Sequence, residues 1–379
     1  MKKSLMCGLI LVFMFLAVST SGFASAAPVD GVAPPLQVQL NGSIVNVPPY
    51  MSVIEGQVMV PLRWSADLLG ATSVEWDAAT RTVTITTPQD FYSMEKFSAY
   101  SRALKSPIED INDQIRPLPD KVKDMGLPEL LPDRHFVLNL EKFRPAREGL
   151  TLPAPRPYIT ITITSPDGTY EHSSVAHSIE NYQDHYYLPM DWLGYLFNAR
   201  VSYNEASNIL SIQSPDLEQI KSEIERIENV LIPHSADEAI ELWGRGEQTR
   251  NGALQYAALS PQLRQEADQS AYVLQSYWVT GGSSPQVGPI SIESRKEISD
   301  TKVEYTLSFP EISSGQTYAI ATEKMVVEKL HHNGREGWFI TELFQSSGYG
   351  IIEGEFSLMD SKHSDWSILI AAAQAAVKH

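Results

Sequence analysis

At 379 residues, 43% of them hydrophobic and 20% charged, the chain has room for two or three domains, each with its own core. A formal net charge of −17 argues against nucleic acid and anionic lipid as partners, because both demand a basic face. The single cysteine, Cys7, rules out a disulfide framework within the chain, so stability rests on packing.

In chain order, Lys2 and Lys3 precede an apolar run over residues 9–18, and Ala24-Ser25-Ala26 fits small-residue cleavage, so residues 1–26 read as a secretory signal peptide. Cys7 lies inside the apolar run, not at its end, which disfavours lipoprotein attachment. Loss of Lys2 and Lys3 with the leader takes the charge to −19, and Ala27 becomes the new N-terminus. Residues 366–377 are too short to span a bilayer, so no transmembrane anchor is expected. Residues 27–35 are a Pro-rich lead.

Residues 36–88 form the first unit. QVQLNGSIVNV is a hairpin around Asn41-Gly42. Val58, Val60 and Leu62 alternate as a strand, Trp64, Leu68 and Leu69 switch to helical spacing, and Gly70 stops the helix. Val74 and Trp76, then Val83 and Ile85, make a second hairpin across a turn that opens on Asp77. The pattern recurs over 157–215, where Pro189 stands for Pro61, Trp192 for Trp64, Ala199 for Ala71 and Asn204 for Asp77, after a hairpin at Asp167-Gly168. LNG, VPLR, LLGA and VEWDAATRTVTI together resemble the stalk domain at the N-terminus of some copper amine oxidases; the second copy is degenerate, with Asp191 in place of Arg63. The resemblance implies small α+β units in which Pro61, Arg63, Gly70, Trp76 and Asp77 are structural. Arg63 either pairs inside the unit or meets a ligand, and Trp64 and Trp76 read as core or as glycan-stacking faces.

Between these units, residues 89–156 form a Pro-rich linking insertion that opens with a helical run over 91–115 and holds a candidate strand over 135–143; its many aromatics, Phe91, Tyr92, Phe97 and Tyr100 among them, predict packing on the units. Leu217, Ile220, Ile224 and Ile227 mark a connector helix within 216–232. Residues 233–344 begin with helices, Ser235 and Glu238 forming a capping box and Gly244 and Gly246 interrupting the first. A short helix capped by Ser260 with Pro261 at its first position follows, then strands from YVLQSYWV (272–279) to GWFITELF; residues 345–379 are a tail. Helices followed by long antiparallel strands, with TRNGALQYAAL and GWFITEL, are similar to the cone-shaped nuclear transport factor 2-like fold. The expected class is α+β: two stalk-type units and a C-terminal cone-like domain with a curved antiparallel sheet.

The chemistry-bearing motifs are sparse. Asn181-Tyr182-Gln183-Asp184 departs from the oxidase family's Asn-Tyr-Asp/Glu phrase, and no length remains for its catalytic domain. His172, His177 and His185 lack a recognised metal spacing, while adjacent His331 and His332 point to opposite faces of a strand. No GxSxG elbow occurs, and Gly281-Gly282 precedes a proline, not a helix. A cone pocket lined by Trp243, Arg250, Tyr256, Tyr277, Trp278, Tyr305 and Trp338 is the candidate ligand site, with Glu304 or Glu323 as polar contributors; the same aromatics equally suit a filled core. The sequence thus points to a secreted, non-enzymatic Gram-positive envelope protein, with no cofactor or metal, whose partner is a cell-wall polymer or another envelope protein. The alternative is a small-molecule-binding protein or enzyme that uses the cone pocket.

Overall fold

The computed structural model describes residues 34–48, 51–54, 57–105, 115, 118–123, 125–132, 159–176, 180–182, 185–268, 278–280, 285–332 and 334–345. The expected signal peptide, the candidate strand over 135–143, His177, Tyr277 and the tail beyond Gln345 lie outside these residues.

The first stretch runs β1 (Gln37–Leu40), β2 (Ser43–Val45), β3 (Ser52–Ile54), β4 (Gln57–Pro61), α1 (Leu62–Leu68), β5 (Ser73–Asp77) and β6 (Thr82–Thr86). After α2 (Phe91–Lys105) and α3 (Asp120–Lys123), the same order returns as β7 (Ile159–Thr164), β8 (Glu171–Ala176), β9 (Glu180–Tyr182), β10 (His185–Pro189), α4 (Asp191–Phe197), β11 (Arg200–Asn204) and β12 (Ile209–Gln213). Equivalent turns use equivalent chemistry. Past α1 the chain turns left-handed at Gly70 (φ +88°), and at the end of α4 it does so at Asn198 (φ 53°), the non-glycine residue that best tolerates this region. Asp77 accepts from the Ala79 N–H at 2.8 Å, as Asn204 accepts from the Ser207 N–H at 3.1 Å; Arg81 and Asn208 then take φ 55° and 53°.

Strand pairing joins the two stretches instead of separating them. β1 lies parallel to β12, with Val38 opposite Leu210, and β6 lies parallel to β7, with Ile85 opposite Ile163. β4 and β10 pair antiparallel, Val60 opposite Leu188. The resulting sheets have the orders β11-β12-β1-β2, β5-β6-β7-β8 and β3-β4-β10-β9, so the opening hairpin of each stretch completes the sheet begun by the closing hairpin of the other. Alternation explains the register: Ile159, Ile161 and Ile163 are buried while the intervening threonines are partly exposed, and a slip of one residue would reverse every one of them.

α2 is preceded by Asp90, whose carboxylate accepts from the Ser93 N–H at 3.0 Å, and it buries Phe91, Met94, Phe97 and Tyr100. Phe91 stacks on Tyr170 with ring centroids 4.5 Å apart. Where the sequence predicts helix to 115, α2 ends at Lys105, and residues 106–114 lie outside the description. α5 (Leu217–Leu231), capped by Asp216, buries Ile220, Ile224, Ile227 and Leu231 and packs on α2.

The C-terminal part holds α6 (Ala236–Thr249), α7 (Gly252–Ala258), α8 (Pro261–Ala267), β13 (Gln286–Val287), β14 (Ser291–Ser299), β15 (Lys302–Ser313), β16 (Gln316–His332) and β17 (Arg335–Gln345). The strands form one curled antiparallel sheet in the order β13-β15-β16-β17, with β14 also on β15. Its inner face buries Tyr305, Leu307, Met325, Val327 and Leu343. One expectation is corrected: Gly244 and Gly246 do not interrupt α6, which runs unbroken to Thr249. Gly246 serves close approach, since a Cβ there would lie 2.6 Å from Gln255 Cγ on α7. The predicted strand over 272–279 is also corrected at its described end, where Trp278 has φ 60° and Val279 makes one bridge to Asn251. No helix among the described residues is long and apolar enough to cross a membrane.

Because Ile85 and Ile163 are both buried and directly paired, Ile85→Ala and Ile163→Ala should each destabilise the chain by about 2–5 kcal/mol. Their double-mutant cycle in urea should return a coupling of about 0.5–3 kcal/mol.

Candidate functional site

The residues that the sequence nominates for a cone pocket engage different partners. Trp243 on α6 is fully buried, and its indole N–H donates to Glu323 Oε2 on β16 at 3.0 Å. Tyr305 on β15 donates to Asp237 Oδ1 at 2.6 Å and accepts from Arg295 Nε at 3.2 Å. Arg250 is the left-handed cap of α6, and its Nη2 donates to the Pro285 carbonyl at 2.7 Å. Trp338 is half-buried on β17, its backbone N–H donating to the Pro233 carbonyl at 2.9 Å. Tyr256 and Trp278 do come together, edge to face, with centroids 5.2 Å apart.

What Tyr256 and Trp278 enclose is Lys96 of α2. Its Nζ sits 3.9 Å from the Tyr256 ring centroid, 5.2 Å from that of Trp278 and 5.8 Å from that of Tyr92. The ammonium donates to Glu228 Oε1 of α5 at 2.6 Å. The Tyr100 hydroxyl donates to the same oxygen at 3.1 Å, and Arg264 Nη1 of α8 lies 3.6 Å from the other. Arg264 is held by the Leu259 and Ala257 carbonyls, each at 3.0 Å, and donates at 3.0 Å to His332 Nε2, which therefore acts as the acceptor of a neutral ring. Asp268 accepts from the hydroxyls of Tyr92 and Tyr256. Two cations and two carboxylates thus meet among three tyrosines and a tryptophan.

Burial opposes the charge on Glu228, Lys96 and His332, and the outcome differs by group. For Glu228 the loss of solvation is outweighed by Lys96 and Arg264, so its carboxyl titrates below the usual range. For Lys96 desolvation dominates and Glu228 offsets it only in part, so its ammonium titrates low. Burial, then Arg264, likewise lowers His332. With its donors and acceptors engaged internally, the cluster ties α2 and α5 to the C-terminal helices and sheet.

Sequence reasoning missed Lys96, Glu228 and Arg264. A signal existed: Lys96 falls four residues after Tyr92 and four before Tyr100, on the aromatic face of α2. The partner carboxylate on α5 had no such mark, because Glu228 stands among other glutamates of that helix.

The stalk-motif residues act locally. Pro61 is buried at the entry to α1, where Ser65 Oγ donates to its carbonyl at 2.8 Å. Arg63 Nη2 donates to the Val74 carbonyl at 2.7 Å, tying α1 to β5. Trp76 is not core: it is 38% exposed and packs on Tyr186 of β10 at 4.9 Å between centroids. His172 Nε2 lies 3.2 Å from the Tyr195 hydroxyl and 3.0 Å from Ser174 Oγ. Among the described residues, no group of three His, Cys, Asp or Glu side chains is placed to hold a metal ion.

The family model for the copper amine oxidase N-terminal domain matches residues 39–102, from β1 into α2, so it takes in most of the helix that the sequence reading assigned to the linking insertion. No curated protein and no solved structure matches the chain.

Truncation of Lys96 to alanine should cost about 3–5 kcal/mol, since Glu228 would stay buried beside the more distant Arg264. The Lys96→Met, Glu228→Leu pair should recover most of that loss in urea titrations. Because the Glu228 carboxyl titrates below its ordinary 4.5, the stability it contributes is present above that pH and is lost as pH falls through its folded value. Glu228→Gln should accordingly flatten the acid limb of the stability–pH curve.

Proposed function

We propose that this chain is a secreted, non-enzymatic protein of a Gram-positive cell envelope. In this reading residues 36–88 and 157–215 are two stalk-type copies acting as a wall-facing spacer or binding body, and the nuclear transport factor 2-like C-terminal part is a scaffold. The carrying observation is that the nominated pocket aromatics are spent internally. Trp243, Trp278 and Tyr305 are fully buried, and each has an internal hydrogen-bond partner, as expected of a core that fills its own sheet. The family match over 39–102 and the charged leader before an apolar run support the envelope placement. A net charge of −17 disfavours polyanionic wall polymers and leaves neutral glycan or another envelope protein as the partner.

One observation favours the second reading, a small-molecule site in the cone: Glu323 is a fully buried carboxylate facing Trp243. Purified full chain, spun with bacterial wall sacculi, separates the two. The wall-facing reading expects the chain to pellet with sacculi. Replacing the exposed Ile44 and Trp76 (Ile44→Asp with Trp76→Ala) should return it to the supernatant, while Glu323→Gln leaves pelleting unchanged. A chain that stays in solution throughout removes the wall-facing role and directs attention to Glu323.

A further inference from the structure

The surroundings of Lys96 have the makings of a recognition site, apart from the helix that fills it. Three residues outside α2 frame the ammonium: Tyr256 of α7 presents its ring face at 3.9 Å, Trp278 lies at 5.2 Å, and Glu228 of α5 accepts a hydrogen bond at 2.6 Å. Arg264 of α8 stands beside the Glu228 carboxylate and Asp268 holds the Tyr256 hydroxyl, with Tyr100 of α2 adding a second donor to Glu228, so the frame is oriented by contacts other than Lys96 itself. Aromatic faces combined with a desolvated carboxylate are the chemistry by which proteins bind amines.

We propose that this frame is a binding site for primary alkylammonium groups, occupied in cis by Lys96 of α2. The ring faces supply attraction to any cation, quaternary ammonium included. The short bond to Glu228 requires an N–H donor, so it selects a primary amine. Lys96 is 6% exposed, so its unbranched tetramethylene stem is buried with the charge, and the site takes an unbranched chain behind the ammonium. The occupant of this structure is a side chain of the protein, and a small primary amine supplied to a chain that lacks the Lys96 ammonium would fill the same position.

Lys96→Ala removes n-propylamine from the side chain and leaves its volume. In the full chain carrying this substitution, the thermal midpoint should rise with n-propylammonium concentration and saturate, while the unsubstituted chain shows no saturable rise. n-Propanol, which lacks the charge, and n-propyltrimethylammonium, which lacks the N–H, should produce no saturable shift. The Lys96→Ala, Glu228→Gln double variant should lose the response to the amine. If Lys96→Ala does not fold in buffer, the refolded fraction with each additive is read instead, and the same pattern is expected. No response to the amine, an equal response to propanol or the quaternary ion, or a response that survives Glu228→Gln would each overturn the proposal.

Discussion

A lysine ammonium held between a carboxylate and the face of a tyrosine, with little of either charged side chain exposed, constrains the arrangement of everything around it. Lys96 can be buried only because Glu228 lies at 2.6 Å and the Tyr256 ring at 3.9 Å, and Glu228 in turn needs Arg264 and Tyr100. These groups come from α2, α5, α7 and α8, so helices contributed by distant parts of the sequence are fixed in one register. An apolar contact of the same size would tolerate sliding; a buried, hydrogen-bonded ion pair does not.

The strand pairing imposes the same unity on the N-terminal part. Parallel pairs cannot be made by a tight turn, so β6 can meet β7 only after a long connection, and α2 and α3 occupy it. Each stretch left alone would expose the edges that the other covers. α2 therefore does two things: it carries the chain from β6 towards β7, and through Lys96 it attaches that body to the C-terminal helices.

Much of the local structure was legible in the sequence. Asn41-Gly42, the Asp77 turn, the Ser235 and Ser260 caps and the isoleucine stripe of α5 all appear where short-range chemistry places them. The exchange of hairpins was not legible, because period-two alternation in Ile159, Ile161 and Ile163 says which face is buried and nothing about which strand lies alongside. Gly246 misled for a related reason: its lack of a side chain reads locally as a helix breaker, whereas its use is the contact with Gln255. Trp76 reads either as core or as an exposed stacking face, and the structure packs it on Tyr186 from the other stretch with more than a third of its surface exposed. For the candidate site, residue type identified Tyr256 and Trp278 but not the cation they surround, since a lysine in a charged sequence is unremarkable until its face of the helix is drawn.

Native-state hydrogen exchange across a urea series tests the central claim, that the chain from β1 to β17 opens as one body through the Lys96 cluster. The account predicts that amides in α2, in β6 and β7, and in α7 converge on one opening free energy, and that Lys96→Ala lowers all of them together. Exchange of α2 at a much lower free energy than α7, unchanged by that substitution, would contradict it.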